Sequence, residues 1–305
     1  MTALILSAFA PVFALVALGY LVRASGLMPR PLWIGVSALN HRVLLPAFLF
    51  VLIAQMDLSG EGFSNLLAAS ALGSMILLAV SALACRLLRL ETSAHGPLIS
   101  VSVVWNLVLA LALITSLFDA EIAASAAPLV LAGTVIGAAV TIWVFASADG
   151  AGVTQSLKRV ALDPLIIACA AGFGVAATGL TSQISWLLEP LRLLGTGTVA
   201  VILLAIGAGL DFQALRGKVS VLIAGTIVRT VLGPAVFLGL GLVFNLHREA
   251  LVAMAIAGAA PAAAFTYAVA SNFKADTGLM AGMLTATLIA SAITLPIATA
   301  IAFSI

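Results

Sequence analysis

Long apolar runs, separated by short polar or Pro/Gly-rich breaks, fill almost the whole chain. A membrane-crossing helix needs about 20 mainly apolar residues. The breaks delimit ten such runs, at 3–22, 33–54, 64–88, 96–118, 122–146, 164–181, 191–210, 218–244, 249–272 and 277–302. None shows the polar/apolar alternation of an outer-membrane barrel strand. The pattern therefore predicts an all-α integral membrane protein with ten transmembrane helices. Composition points the same way: 63% of residues are hydrophobic and 8% charged, where soluble domains carry about 25% charged residues. The first run, Leu4 to Val22, is read as a span and not as a signal peptide, because it lacks a basic leading region and reaches Arg23 without a clear cleavage site.

Charge adds orientation. The odd-numbered connections hold nine basic residues, Arg23, Arg30, Arg86, Arg89, Lys158, Arg159, Arg216, Lys218 and Lys274, against two, Arg192 and Arg248, in the even-numbered ones. Cytoplasmic loops collect Lys and Arg, so both termini are expected on the non-cytoplasmic side, in a membrane read as a bacterial inner membrane. The net charge of +2, with no Lys/Arg cluster, gives no footprint for a nucleic acid.

Sliding the second half over the first reveals an internal repeat. Pro11 and Gly19-Tyr20 match Pro164 and Gly172-Phe173 at an offset of 153, Asp57 matches Asp211 at 154, and Ser116-Leu-Phe-Asp-Ala-Glu matches Ser271-Asn-Phe-Lys-Ala-Asp at 155. The division is a first repeat at 1–148, a connection at 149–163 and a second repeat at 164–305. Five spans per repeat is an odd number, so the halves enter the membrane from opposite sides, the inverted plan of many secondary transporters.

In such folds the site is built where helices break at mid-membrane. The repeat pairs Asn106 with Pro261, each near the middle of its run. Proline removes a backbone donor and disrupts the preceding turn, and the asparagine amide both donates and accepts. A kink and an ordinary interhelical hydrogen bond would serve as the structural alternative. Arg229 lies inside a predicted span, where a charge costs about 2.5–3.5 kcal/mol on insertion scales. Either an anionic substrate or carbonyls freed by Pro234 would satisfy it. Arg42, in the cluster Asn40-His41-Arg42, is a secondary candidate that is equally well read as the cap of the second span.

Other chemistry is excluded or weak. Cys85 and Cys169 lack neighbours at metal-ligand spacing, and no metal or cofactor is expected. Gly195-Thr-Gly-Thr-Val-Ala and Gly172-Phe-Gly-Val-Ala-Ala mimic a dinucleotide fingerprint but lack its strand. They read instead as helix contacts, as does Gly133-xxx-Gly137. An intramembrane enzyme would have only His41 to work with.

The segment Ala259-Ala-Pro-Ala-Ala-Ala-Phe-Thr-Tyr-Ala-Val-Ala-Ser-Asn-Phe-Lys-Ala-Asp resembles the ninth span of bacterial members of the auxin efflux carrier family. Val43-Leu-Leu-Pro-Ala-Phe-Leu-Phe and Asp163-Pro-Leu-Ile-Ile-Ala resemble that family's second and sixth spans. The resemblance implies that spans 4 and 9 cross as broken helices inside a mobile domain of spans 3–5 and 8–10. Spans 1, 2, 6 and 7 would form a scaffold. The substrate site is expected at the Asn106/Pro261 pair, with Ala262, Phe265 and Thr266 of the same segment as further candidates. Relatives have glycines around the span-4 asparagine and a proline soon after; Leu107 to Leu113 contains neither.

The resemblance also implies small organic anions, such as carboxylates or auxin-like acids, as substrates, and the expected function is a secondary transporter of them, working by alternating access with a coupling proton or sodium ion. The alternatives are a sodium-coupled symporter of larger organic anions, of the bile acid carrier type, and a membrane receptor. Expected partners are the anion, the lipid bilayer and, in a homodimer, a second copy.

Overall fold

The computed structural model describes residues 2–58, 62–150, 152–273 and 275–305. Of the basic residues counted above, Lys274 lies outside the described residues. The first half holds α1 (Thr2–Ala24), α2 (Arg30–Leu39), α3 (Leu45–Ala54), α4 (Phe63–Leu87), α5 (Thr92–Val103), α6 (Leu107–Leu117), α7 (Ala120–Ser125) and α8 (Ala127–Ala148). The second holds α9 (Val153–Ala161), α10 (Pro164–Thr178), α11 (Ser185–Ala208), α12 (Val219–Ile227), α13 (Gly233–Val243), α14 (Arg248–Ala259), α15 (Phe265–Asn272) and α16 (Thr277–Ser304). Among the described residues there is no strand.

Among the described residues seven helices are long and apolar enough to cross a membrane: Ile5–Ala24, Pro31–Ala54, Phe63–Leu87, Ala127–Ala148, Ser185–Ala208, Val219–Val243 and Thr277–Ser304. Two of them contain a π-helical turn, Asn40–Leu44 between α2 and α3 and Val228–Leu232 between α12 and α13. The cause is local. Pro46 and Pro234 follow these turns at the start of the next helix, and a proline ring clashes with the carbonyl four residues back, so the preceding turn widens. The expected connection 149–163 contains a helix of its own, α9, which meets α10 at 62°. The Asp163 side chain caps α10 by accepting from the Leu165 N–H at 2.9 Å, and Pro164 occupies the first helical position. The runs at 96–118 and 249–272 are each divided into two short helices, α5/α6 and α14/α15.

Packing sorts the helices into two groups. In one, α1 lies against α11, and α3 against α10 and α11. Glycines set these distances: a Cβ on Gly19 would fall on the Leu204 carbonyl oxygen, one on Gly207 on the Val16 carbonyl oxygen, and one on Gly172 would come 2.9 Å from the Phe50 oxygen. In the other, α4 packs on α5, α8 and α13, α14 on α13 and α16, and α12 on α5 and α16. There a Cβ on Gly258 would come 2.7 Å from the Pro234 Cα. The groups meet where α1 touches α6 and α16, α10 touches α8 and α11 touches α6.

At the helix ends, Lys218 donates to Glu91 at 2.8 Å and to Ser93 at 3.2 Å, tying the starts of α12 and α5 together. The hydrogen bond and charge of Lys218, with Ser93 adding a second donor, hold the Glu91 carboxyl below its ordinary range. Such a group stabilises the fold above the ordinary carboxylate pKa of about 4.3 and loses that contribution as pH falls through its lowered value. Glu91→Gln is therefore expected to flatten the acid limb of a melting-temperature profile. The effect should be small and salt-sensitive because the pair is exposed.

Candidate functional site

Two helix breaks meet at one point. α5 stops at Val103, and Val104 (φ −89, ψ 110) and Asn106 (φ −77, ψ 90) are extended. α14 stops at Ala259, and Ala260 is likewise extended (φ −58, ψ 143). The two segments run antiparallel, with Trp105 bridged to Ala262. The Asn106 N–H donates to the Pro261 oxygen at 2.8 Å and the Ala263 N–H to the Val104 oxygen at 3.3 Å. In the second segment Pro261 supplies the cause, since it lacks an N–H and pushes Ala260 out of the helical region. The first segment holds no Gly or Pro: α5 stops at Val103, and Asn106 caps α6, its Oδ1 accepting from the Leu109 N–H at 3.1 Å.

The crossing leaves four helix ends in an apolar interior, two carbonyl ends (α5, α14) and two N–H ends (α6, α15). Arg229 satisfies the carbonyl ends. Its side chain is fully buried. Nη1 donates to the Ser102 oxygen at 3.0 Å, and Nη2 donates to the Ala257 oxygen at 3.0 Å and to the Gly258 oxygen. One guanidinium thus clamps the last turns of both half-helices, where a cation also complements the helix dipoles. Of the two partners offered by the sequence, Arg229 takes backbone carbonyls, and these are freed by the breaks at Val104 and Ala260, not by Pro234. The widened turn Val228–Leu232 and the Gly233–Gly258 contact bring it there.

Neighbouring helices hold the crossing in place. On α16, Thr287 Oγ1 accepts from the Ala262 N–H at 3.3 Å, and Thr285 Oγ1 accepts from the Asp211 N–H at 2.9 Å beyond the end of α11. The Gly133-xxx-Gly137 stripe of α8 contacts the extended segment itself. A Cβ on Gly133 would come 2.5 Å from the Trp105 indole nitrogen, and one on Gly137 3.2 Å from Val104.

The expected site residues separate accordingly. Asn106, Pro261 and Ala262 form the crossing, and Pro261 and Ala262 line a cavity of about 40 Å³ with Ala205, Ile206, Leu284 and Thr285. Thr266 is buried and donates to the nearby Ala263 oxygen at 2.8 Å. Phe265 opens α15, and its ring stacks on His41 with centroids 5.2 Å apart. Arg42 is exposed and lines neither cavity found here. Its cluster lies beyond the ten residues of α2, inside the helix and not at its cap.

A larger cavity, about 290 Å³, opens at the α9 end of the molecule between His41, Ile142, Arg159, Asp163, Val269, Asn272 and Phe273. His41 Nε2 lies 3.5 Å from Asp163 Oδ2. Arg159, Asp163 and the two threonines were not among the expected site residues. Arg159 and Asp163 read as connection residues, and membrane threonines are too common to stand out.

Residues 151–299 match the family model described as membrane transport protein. No curated protein matches the chain. The matched stretch includes Arg229, the Pro261 break and α16 as far as Thr299, so the second wall of the crossing lies within it. Several long apolar helices and this match make the chain a multi-pass membrane protein of transporter type. Over residues 151–299 the chain thus matches the model of the membrane transport protein family, the family of the auxin efflux carriers.

Proposed function

We propose that the protein is a secondary transporter of small organic anions, and that the anion binds where the two broken helices cross. The carrying observation is the asymmetry of the four helix ends. Arg229 occupies the carbonyl ends of α5 and α14, whereas at the N–H ends the Asn106 Oδ1 takes the Leu109 N–H and the Ala263 and Ala264 oxygens take those of Thr266 and Tyr267, so that no charged group offsets the positive ends of α6 and α15. What remains at the crossing is two positive dipole ends and the Asn106 amide, a setting that favours a carboxylate.

Ten spans in two inverted five-helix halves accommodate this reading, with α5/α6 and α14/α15 as the crossing spans 4 and 9. The group of α1, α3, α10 and α11 serves as scaffold. The group of α4–α6, α8 and α12–α16 moves against it, exposing the crossing first to one side and then to the other. The α9 end is cytoplasmic in this scheme, in a bacterial inner membrane.

Asn106→Asp provides the test. Aspartate caps a helix as well as asparagine does, so the fold should survive, yet the variant puts a negative charge at the crossing. In proteoliposomes the wild type is expected to show saturable uptake of at least one of benzoate, malonate and succinate under a proton or sodium gradient. The variant is expected to lose about tenfold or more of that uptake with its melting temperature little changed. Absence of uptake across the panel, under every gradient, would remove the reading.

A further inference from the structure

The 290 Å³ cavity at the α9 end carries chemistry that the crossing does not use. Arg159 closes α9 and lies half-buried over the Phe273 ring, its guanidinium carbon 4.7 Å from the ring centroid. The ring holds one face of the guanidinium, and among the described residues no carboxylate or carbonyl accepts from its N–H edges. Asp163, the nearest acid in the cavity, does not pair with it. One Asp163 oxygen caps α10 and the other faces His41.

A guanidinium with unused donors in a cleft recruits an anion, and its fixed fork suits a carboxylate. Ile142, Val269 and Phe273 make the remaining wall apolar, and Asn272 at the rim adds an amide. The volume lies at the lower end of small-molecule sites, about 300–1,000 Å³.

We propose that this cavity is a loading site for organic monoanions: Arg159 binds the carboxylate, the apolar wall takes the body, and the fixed charge of Asp163 rejects a second carboxylate. The site deepens the transporter reading and rests on it for the direction of passage. Phe265 connects the two places. It stacks on His41 at the cavity wall and begins α15 immediately after the crossing, so this aromatic pair stands between the two places.

Titratable groups reach the cavity from two places. Arg159 and Asp163 stand at the α9–α10 bend, His41 stands on the π-helical turn, and α8 and α15 offer only Ile142 and the side chains of Ala268, Val269, Asn272 and Phe273. Selectivity arises from one positive and one negative side chain, Arg159 and Asp163, on the lining of the same cavity.

Benzoate and terephthalate share a ring and differ by one carboxylate at the far end. Calorimetric titration of the purified full chain in nanodiscs is expected to show benzoate bound about tenfold or more tightly than terephthalate. Arg159→Gln should weaken benzoate by a similar factor, and Arg159→Lys should restore part of the loss. Asp163→Asn keeps the helix cap and should bring terephthalate close to benzoate. Unchanged benzoate binding by Arg159→Gln would overturn the site, as would equal binding of the two ligands by the wild type. These outcomes differ from failure of the transporter reading. Uptake that continues in Arg159→Gln vesicles with unaltered benzoate binding removes only the loading site, whereas Arg159-dependent binding without any uptake removes only the transporter.

Discussion

Arg229→Ala is expected to cost about 4 kcal/mol of stability or more, because three charge-assisted hydrogen bonds of roughly 1.5–3 kcal/mol each are lost and the carbonyls they served stay buried. The Ser102, Ala257 and Gly258 oxygens terminate two helices in an apolar interior, with no water to replace the guanidinium. Arg229→Lys should recover only part of the loss, since one ammonium lacks the fork that reaches both α5 and α14. Melting temperatures in detergent, read beside anion uptake, check this. An alanine variant as stable as the wild type, but unable to bind anion, would return Arg229 to the role of substrate ligand.

Gly207→Ala is expected to cost about 3 kcal/mol, at the upper end for overpacking, because the added methyl meets backbone and not a movable side chain. It would fall on the Val16 carbonyl oxygen of α1, and Gly19 presents the reciprocal contact to Leu204. The α1–α11 pair must then separate along its length. Gly197→Ala in the same helix meets nothing within 4 Å. It should be neutral or raise stability by up to about 1 kcal/mol through helix propensity. Equal melting temperatures for the two variants would show that this glycine contact does not set the packing of α1 on α11.

The crossing was legible in the sequence because its two determinants are local. A proline in an apolar run breaks a helix whatever surrounds it, and an isolated amide in such a run requires a partner. Their equivalent positions in the repeat joined them. Arg229 stood out as a charge, but its partners did not, since Ser102 is 127 residues away in sequence and the acceptors are backbone atoms that no residue type announces. α5 stops at Val103 without a Gly or Pro; the Asn106 cap of α6 and the pairing with the other extended segment hold that break. α9 was missed for a simpler reason. A search for runs of about 20 apolar residues passes over a short helix with Lys158 and Arg159 on it. The His41–Asp163 approach joins two distant chain segments, and only the packing of the π-helical turn against α10 creates it. The glycine stripe at 133 and 137, expected to meet a helix, meets the extended break instead.

These features give one physical account. Backbone groups freed by two helix breaks are treated unequally: a buried guanidinium takes the carbonyls, and in the proposed reading the positive N–H ends face the anion. A structure of the full chain in nanodiscs with benzoate at saturating concentration tests this most directly. The account predicts ligand density at the crossing, its carboxylate within hydrogen-bond reach of the Asn106 amide or the first N–H groups of α6 and α15. Density confined to the Arg159 cavity or the lipid-facing surface, with the crossing empty in every conformation observed, would contradict it.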